Sequence, residues 1–126
     1  MSSTFSRIVA GEIPSHKVWE DDRHFAFLDI APIAPGHTLL VPKREEDYLF
    51  DLASDDYDAL WQAARTVAAR LKDVLGCNRV CVMVEGYEVP HAHIHLIPTN
   101  RGPDFRGSRM ETDHPALAGL AAKLAF

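Results

Sequence analysis

Only two cysteines, Cys77 and Cys81, occur in the 126 residues. A lone Cys-x-x-x-Cys pair is weak evidence for a metal, and with no export signal ahead of it the pair reads as buried, reduced thiols in a cytoplasmic protein. Long apolar runs are missing too. Met1 to Ile8 has no apolar block of the kind a secretory leader needs, and no stretch approaches the roughly 20 apolar residues of a membrane span. Excess positive charge is absent: 13 Lys and Arg face 18 Asp and Glu, a formal net charge of −5. That balance lacks the basic footprint of a nucleic-acid binder, so a site that handles phosphate must rely on local donors. There is no internal repeat and no low-complexity segment. What remains is a chain of one domain's length with 47% hydrophobic residues, enough for a core without staples.

Periodicity and turn chemistry divide the chain. Ser3 to Ala10, with Phe5, Ile8 and Val9, predicts a short helix begun by Ser or Thr and stopped at Gly11. His16 to Glu20 and Phe25 to Asp29 predict a hairpin around Asp21-Asp22. After a Pro/Gly-rich connection, His37 to Pro42 predicts a third strand. Ser54 reads as an N-cap and Gly76 as the stop of a helix about 30 Å long, with apolar residues from Tyr57 to Leu75 at helical spacing. Arg79 to Val84 and His91 to Pro98 read as the fourth and fifth strands. Asn100 to Gly107 reads as a loop, and Ala116 to Phe126 as a helix begun near Asp113 and Pro115. The order argues an α+β fold with an antiparallel sheet, because short hairpin links forbid parallel neighbours.

One stretch stands out: His91-Ala92-His93-Ile94-His95-Leu96-Ile97-Pro98. In a strand the three histidines would share one face while Ala92, Ile94 and Leu96 face the core. The outer two would lie about 13 Å apart at roughly 3.3 Å per residue. Imidazoles in a row need partners for their ring nitrogens, which suggests a site. Three readings compete. The row could be an incidental half-exposed strand. It could ligate zinc, although three residues on a straight strand do not converge on one ion. Or it could be a nucleophile with flanking groups, attacking phosphorus.

The His91-x-His93-x-His95 motif followed by two apolar residues resembles the signature of the histidine triad (HIT) family of nucleotide hydrolases and transferases. Phe5, Ile8-Val9-x-Gly11-Glu12-Ile13-Pro14, Glu20-Asp21-Asp22, Ala26-Phe27, Asp29-Ile30-x-Pro32 and Pro35-Gly36-His37 follow as in its Hint-like branch. The match runs over roughly residues 3–98. The resemblance implies a HIT-like five-stranded antiparallel sheet with one long helix, a short N-terminal helix and a C-terminal helical tail. Residues 1–98 would form the HIT domain, and 99–126 a loop and helix of the same globular unit. It implies a nucleotide hydrolase or nucleotidyl transferase acting on the α-phosphate of a purine nucleoside phosphoramidate or dinucleoside polyphosphate. His93 would be the nucleophile, His95 a donor to phosphate and leaving group, and His91 the residue that orients His93. Asp29 would anchor the ribose, and Phe5, Ile8, Ile13 and Phe27 would line the base pocket. His37 reads as structural; His16, His24 and His114 read as surface residues.

Departures from the family pattern carry expectations of their own. Ser3, Ser6 and Glu45 stand where many relatives hold structural zinc with two cysteines and a histidine, so no metal and no cofactor are expected. Val84, Tyr87 and Glu88 replace groups that help hold phosphates in relatives, and a carboxylate near phosphate repels it. Glu88 must therefore face away, be protonated or weaken catalysis, which keeps open a nucleoside monophosphate-binding module with little turnover. The partner is expected to be a small nucleotide, not a nucleic acid or a membrane. A homodimer is expected from the broad apolar stripe of the long helix and the family's joining of two sheets.

Overall fold

The computed structural model describes residues 2–126. Helix α1 (Thr4–Val9) begins at Ser3, whose Oγ accepts the N–H of Ser6 at 3.0 Å. Strands β1 (Lys17–Glu20) and β2 (His24–Leu28) form the first hairpin. Its turn is tied by Asp21, whose carboxylate accepts the N–H groups of Arg23 and His24 and lies 3.0 Å from His24 Nδ1. His24 is buried rather than a surface residue. His16 and His114 do sit near the surface, with Nε2 and Nδ1 2.9 Å apart.

Strand β3 (Thr38–Pro42) leads through a 3₁₀ turn at Leu49–Asp51 into α2 (Ser54–Leu75). Ser54 is the first helical residue and not the cap: the carbonyl of Ala53 already accepts Tyr57 N–H, and no side chain caps this end. Gly76, left-handed at φ 65°, closes the helix as expected. Strands β4 (Arg79–Met83) and β5 (Ile94–Thr99) follow. The stretch expected to be a loop contains α3 (Gly102–Phe105), whose start is set by Asp104 accepting the N–H groups of Asn100 and Arg101. Helix α4 (His114–Leu124) is capped by Asp113, which accepts Ala116 N–H.

The five strands form one antiparallel sheet in the order β1-β2-β3-β5-β4. The α2 crossover carries the chain past β5's place to the far edge, and β5 then inserts between β3 and β4. Side chains alternate across this sheet. Ala26, Leu28, Leu40, Ile94 and Leu96 join α2 and α4 in the larger core. Phe25, Phe27, Leu39 and Val41 face the other way and pack with Phe5 and Ile8 of α1 in a second cluster. The central strands are therefore buried on both faces. No helix among the described residues is long and apolar enough to cross a membrane.

The connection before β3 needs Gly36. Its φ is +90°, and a Cβ there would meet Leu75 Cδ1 at 2.6 Å and Pro98 Cγ at 3.1 Å. The turn thus lies tight against the end of α2 and β5, and it delivers His37 into the sheet.

Candidate active site

The histidine row does not lie wholly in one strand. Strand β5 starts at Ile94, and His91 to His93 form an irregular approach to it that begins in a bend at His91. Pairing stops at Leu40↔Ile94, and Ala92 N–H donates instead to Glu46 O at 2.6 Å. Pro42 lacks an N–H to extend the ladder, and its carbonyl accepts from the ring of His91 instead, at 2.7 Å. All three histidines are buried, and His93 and His95 have ring centroids 4.9 Å apart.

Hydrogen-bond partners settle the tautomers of four rings. A carbonyl only accepts, so His93 Nδ1–H donates to His91 O at 2.7 Å and the His93 lone pair lies on Nε2. His91 Nε2–H likewise donates to Pro42 O, leaving Nδ1 to accept Ser3 Oγ–H at 2.7 Å. His37 Nδ1 accepts the amide N–H of Ile33 at 3.0 Å, so its proton is on Nε2 and donates to His95 Nδ1 at 2.9 Å. The His95 proton is then on Nε2.

Burial keeps these rings neutral. Desolvation pushes His37 down to about 4, partly opposed by the nearby Asp29 charge. It pushes His95 to about 4 as well, helped by His93 and His37 beside it. His91 and His93 are lowered by the same cause, opposed by their hydrogen bonds to backbone carbonyls.

The floor of the site is a cross-strand row. Phe27 lies opposite Leu39, Leu39 opposite His95, and His95 opposite Met83. Above it opens a cavity of about 770 Å³, whose lining includes Phe5, Ile8, Ile13, Phe27, Asp29, His93 and His95. The rings of Phe5 and His93 meet edge to face at a centroid distance of 4.8 Å. His91 does not line the cavity; it stands behind His93 and holds that ring through its carbonyl. Asp29, buried at the end of β2, accepts Ala31 N–H on Oδ1 at 2.9 Å. Its Oδ2 accepts Arg109 Nη1–H at 2.6 Å and lies 3.6 Å from His37 Nε2.

Two groups at the site escape sequence reasoning. His37, expected to be structural, touches His95 directly; only its place in the Pro35-Gly36-His37 block hints at the site. Arg109 comes from the exposed tail and carries no motif. Of the three departures at the phosphate-holding positions, Tyr87 is 93% exposed and Val84 is also exposed, and neither lines the cavity. Glu88 does line it, with Glu85. The charges of both act to raise the His93 pKa against burial.

The family model of the HIT domain matches residues 10–102. The chain belongs to the HIT domain family. It is 38% identical to the adenosine 5′-monophosphoramidase of Saccharomyces cerevisiae over 124 residues, covering 95% of this chain and 78% of that one. The structure of a HIT-like protein involved in cell-cycle regulation from Bartonella henselae superposes with a TM-score of 0.85 at 31% identity, covering 98% of this chain and 94% of that one. A zinc-bound histidine triad family protein from Mycobacterium smegmatis superposes at 0.79 and 26% identity, covering 98% and 96%.

In this HIT protein the residues that replace the zinc ligands satisfy one another. Glu45 accepts Ser3 N–H at 2.5 Å and Ser6 Oγ–H at 2.7 Å, and these bonds pull its carboxyl down to about 2. Ser3 Oγ–H donates to His91. Two hydroxyls, a carboxylate and one engaged imidazole do not match the thiolate and imidazole donors that zinc prefers. Asp29, His37 and His95 also bring ligand atoms within 4.8 Å of one another. There, the Ile33 amide keeps the His37 proton on the nitrogen that would have to bind the ion.

Proposed function

We propose that this HIT protein is a nucleotide hydrolase or nucleotidyl transferase that works through His93 on the α-phosphate of a purine nucleoside phosphoramidate or dinucleoside polyphosphate. One observation carries the reading. His93 Nε2 bears a lone pair with no hydrogen-bond partner among the described residues, beside His95, whose proton is on Nε2, and both rings line the same cavity. A neutral imidazole is a good nucleophile, and its neighbour is a donor where charge develops.

In the first step His93 Nε2 bonds to the α-phosphorus as the bond to the leaving group breaks. The leaving atom accepts a hydrogen bond from His95 Nε2–H and takes its proton from water. The nucleotidyl-imidazolium that results keeps its Nδ1–H on His91 O, which disperses its positive charge. In the second step water attacks phosphorus and releases a proton to solvent, which balances the one taken from water in the first step. The P–N bond breaks, nucleoside monophosphate leaves and both rings return to their starting state. Asp29 accepts the ribose hydroxyls, and Phe5, Ile8, Ile13 and Phe27 hold the base.

Glu85 and Glu88 on the cavity wall support a second reading, a nucleoside monophosphate-binding module with little turnover, because carboxylates there oppose phosphate. Incubation with adenosine phosphoramidate and diadenosine tetraphosphate separates the two. AMP released over many turnovers supports the enzyme; AMP binding without turnover supports the module.

We also infer a cytoplasmic homodimer. Strand β4 is an edge of the sheet, and its Val82 is exposed. A two-fold partner laid along that edge would cover it. Light scattering that gives a monomer mass at micromolar concentration would sink the dimer.

A further inference from the structure

Arg109 is the only Lys or Arg among the described residues that line the cavity, whereas Asp29, Glu85 and Glu88 are its acidic lining residues. It reaches the site from the tail, 80 residues away from Asp29 in sequence. The exposed strand of chain that carries it is tied down next door, where Met110 N–H donates to Pro32 O at 2.7 Å. Both protons of Arg109 Nη1 are engaged, one by Asp29 Oδ2 at 2.6 Å and one by Ala31 O at 2.8 Å. Asp29 is left 8% exposed. A carboxylate so covered is not open to a sugar until the guanidinium moves. The Arg109 side chain is 40% exposed, so the contact is one that solvent weakens and a ligand can displace. Its Nε–H and Nη2–H₂ donors have no partner among the described residues, and a guanidinium fits phosphate oxygens in a two-point fashion.

We propose that Arg109 is a specificity-determining residue: a latch that covers Asp29 in the free protein and turns to the phosphates when ribose hydroxyls take that carboxylate. The substrate class it favours is a nucleotide with anionic phosphates beyond the α-position. The proposal rests on Asp29 being the ribose anchor. It also gives the tail a role, because the tail delivers the only Lys or Arg side chain among the described residues on the cavity wall.

The two halves of the latch predict effects of opposite sign, and titration calorimetry with adenosine, AMP and ADP reads both. Arg109→Gln should bind adenosine about threefold tighter, since a half-exposed guanidinium no longer competes for Asp29. The same variant should bind ADP about tenfold weaker or worse, with AMP between, because a charge-assisted phosphate contact is lost. Arg109→Lys should keep part of the ADP affinity. Thermal melts confirm that each variant folds. Unchanged ADP affinity, or adenosine and ADP shifted in the same direction by Arg109→Gln, overturns the latch while leaving the ribose anchor intact. Wild-type protein that binds adenosine and its 2′-deoxy analogue equally overturns the anchor, and the latch with it.

Discussion

His37→Phe tests the hydrogen-bond chain behind the donor. Phenylalanine keeps a ring of similar size in a fully buried place but removes both nitrogens. Two losses follow. The Ile33 amide loses its acceptor, and an unsatisfied buried donor costs about 1–3 kcal/mol. His95 Nδ1 loses the donor that keeps the His95 proton on Nε2. Deleting an oriented donor outright lowers rates by about 10²–10³. Here the donor stays and only its orientation is lost, so we expect a fall of about 10- to 100-fold in kcat, less than for His95→Ala. The assay is steady-state hydrolysis of a fluorogenic adenosine phosphoramidate, with AMP affinity as a control that should change little because the base pocket is untouched. A double-mutant cycle gives the decisive reading. If His37 works only through His95, the His37→Phe change should have no further effect on rate in a His95→Ala background. Full additivity, or wild-type turnover by folded His37→Phe, would refute the reasoning.

Three further outcomes are expected. Asp29→Ala should weaken binding of a ribonucleotide by up to about a hundredfold and its 2′-deoxy analogue far less, as charge-assisted bonds of about 1.5–3 kcal/mol disappear; equal losses in calorimetry would leave Asp29 a turn cap only. His37 and His95 have folded-state pKa values near 4 against an ordinary 6.5, so protons bind the unfolded chain first: stability should be complete above pH 6.5 and drain away as pH falls towards 4, and thermal melts that are flat across that window would contradict their burial as neutral rings. Gly36→Ala should cost about 2 kcal/mol or more in urea unfolding, because alanine meets both the positive φ and the 2.6 Å approach of Leu75; a change under about 0.5 kcal/mol would mean the turn relaxes freely.

Much of the fold is legible in the sequence because local rules and burial agree here. Phe25 and Phe27 alternate with Ala26 and Leu28, and two different layers cover the two faces. Gly76 ends α2 because only that backbone geometry closes the helix there. The spacing of His91, His93 and His95 marks the candidate site. What escapes notice depends on contacts remote in sequence or on competing side-chain bonds. His37 meets His95 across 58 residues, and nothing local marks that meeting. Arg109 reaches Asp29 from a segment with no periodicity. His24 is buried with its ring nitrogen on a carboxylate three residues earlier, a contact that polarity alone does not announce. Helix α3 is only four residues long and is held by one aspartate, so no hydrophobic pattern signals it. Strand β5 begins later than the alternation implies: the pattern continues through His91 and His93, although the partner strand has reached Pro42.

The central claim is that His93 Nε2 becomes bonded to the nucleotide. Rapid quenching without acid during turnover of an adenosine phosphoramidate, followed by peptide mass spectrometry, should find an acid-labile AMP adduct on His93. His93→Ala should show no adduct and no turnover while still binding AMP. His95→Ala, which lacks the hydrogen-bond donor but keeps the nucleophile, should retain slow adduct formation. An adduct on His91 or His95, or full turnover by His93→Ala, would contradict the account.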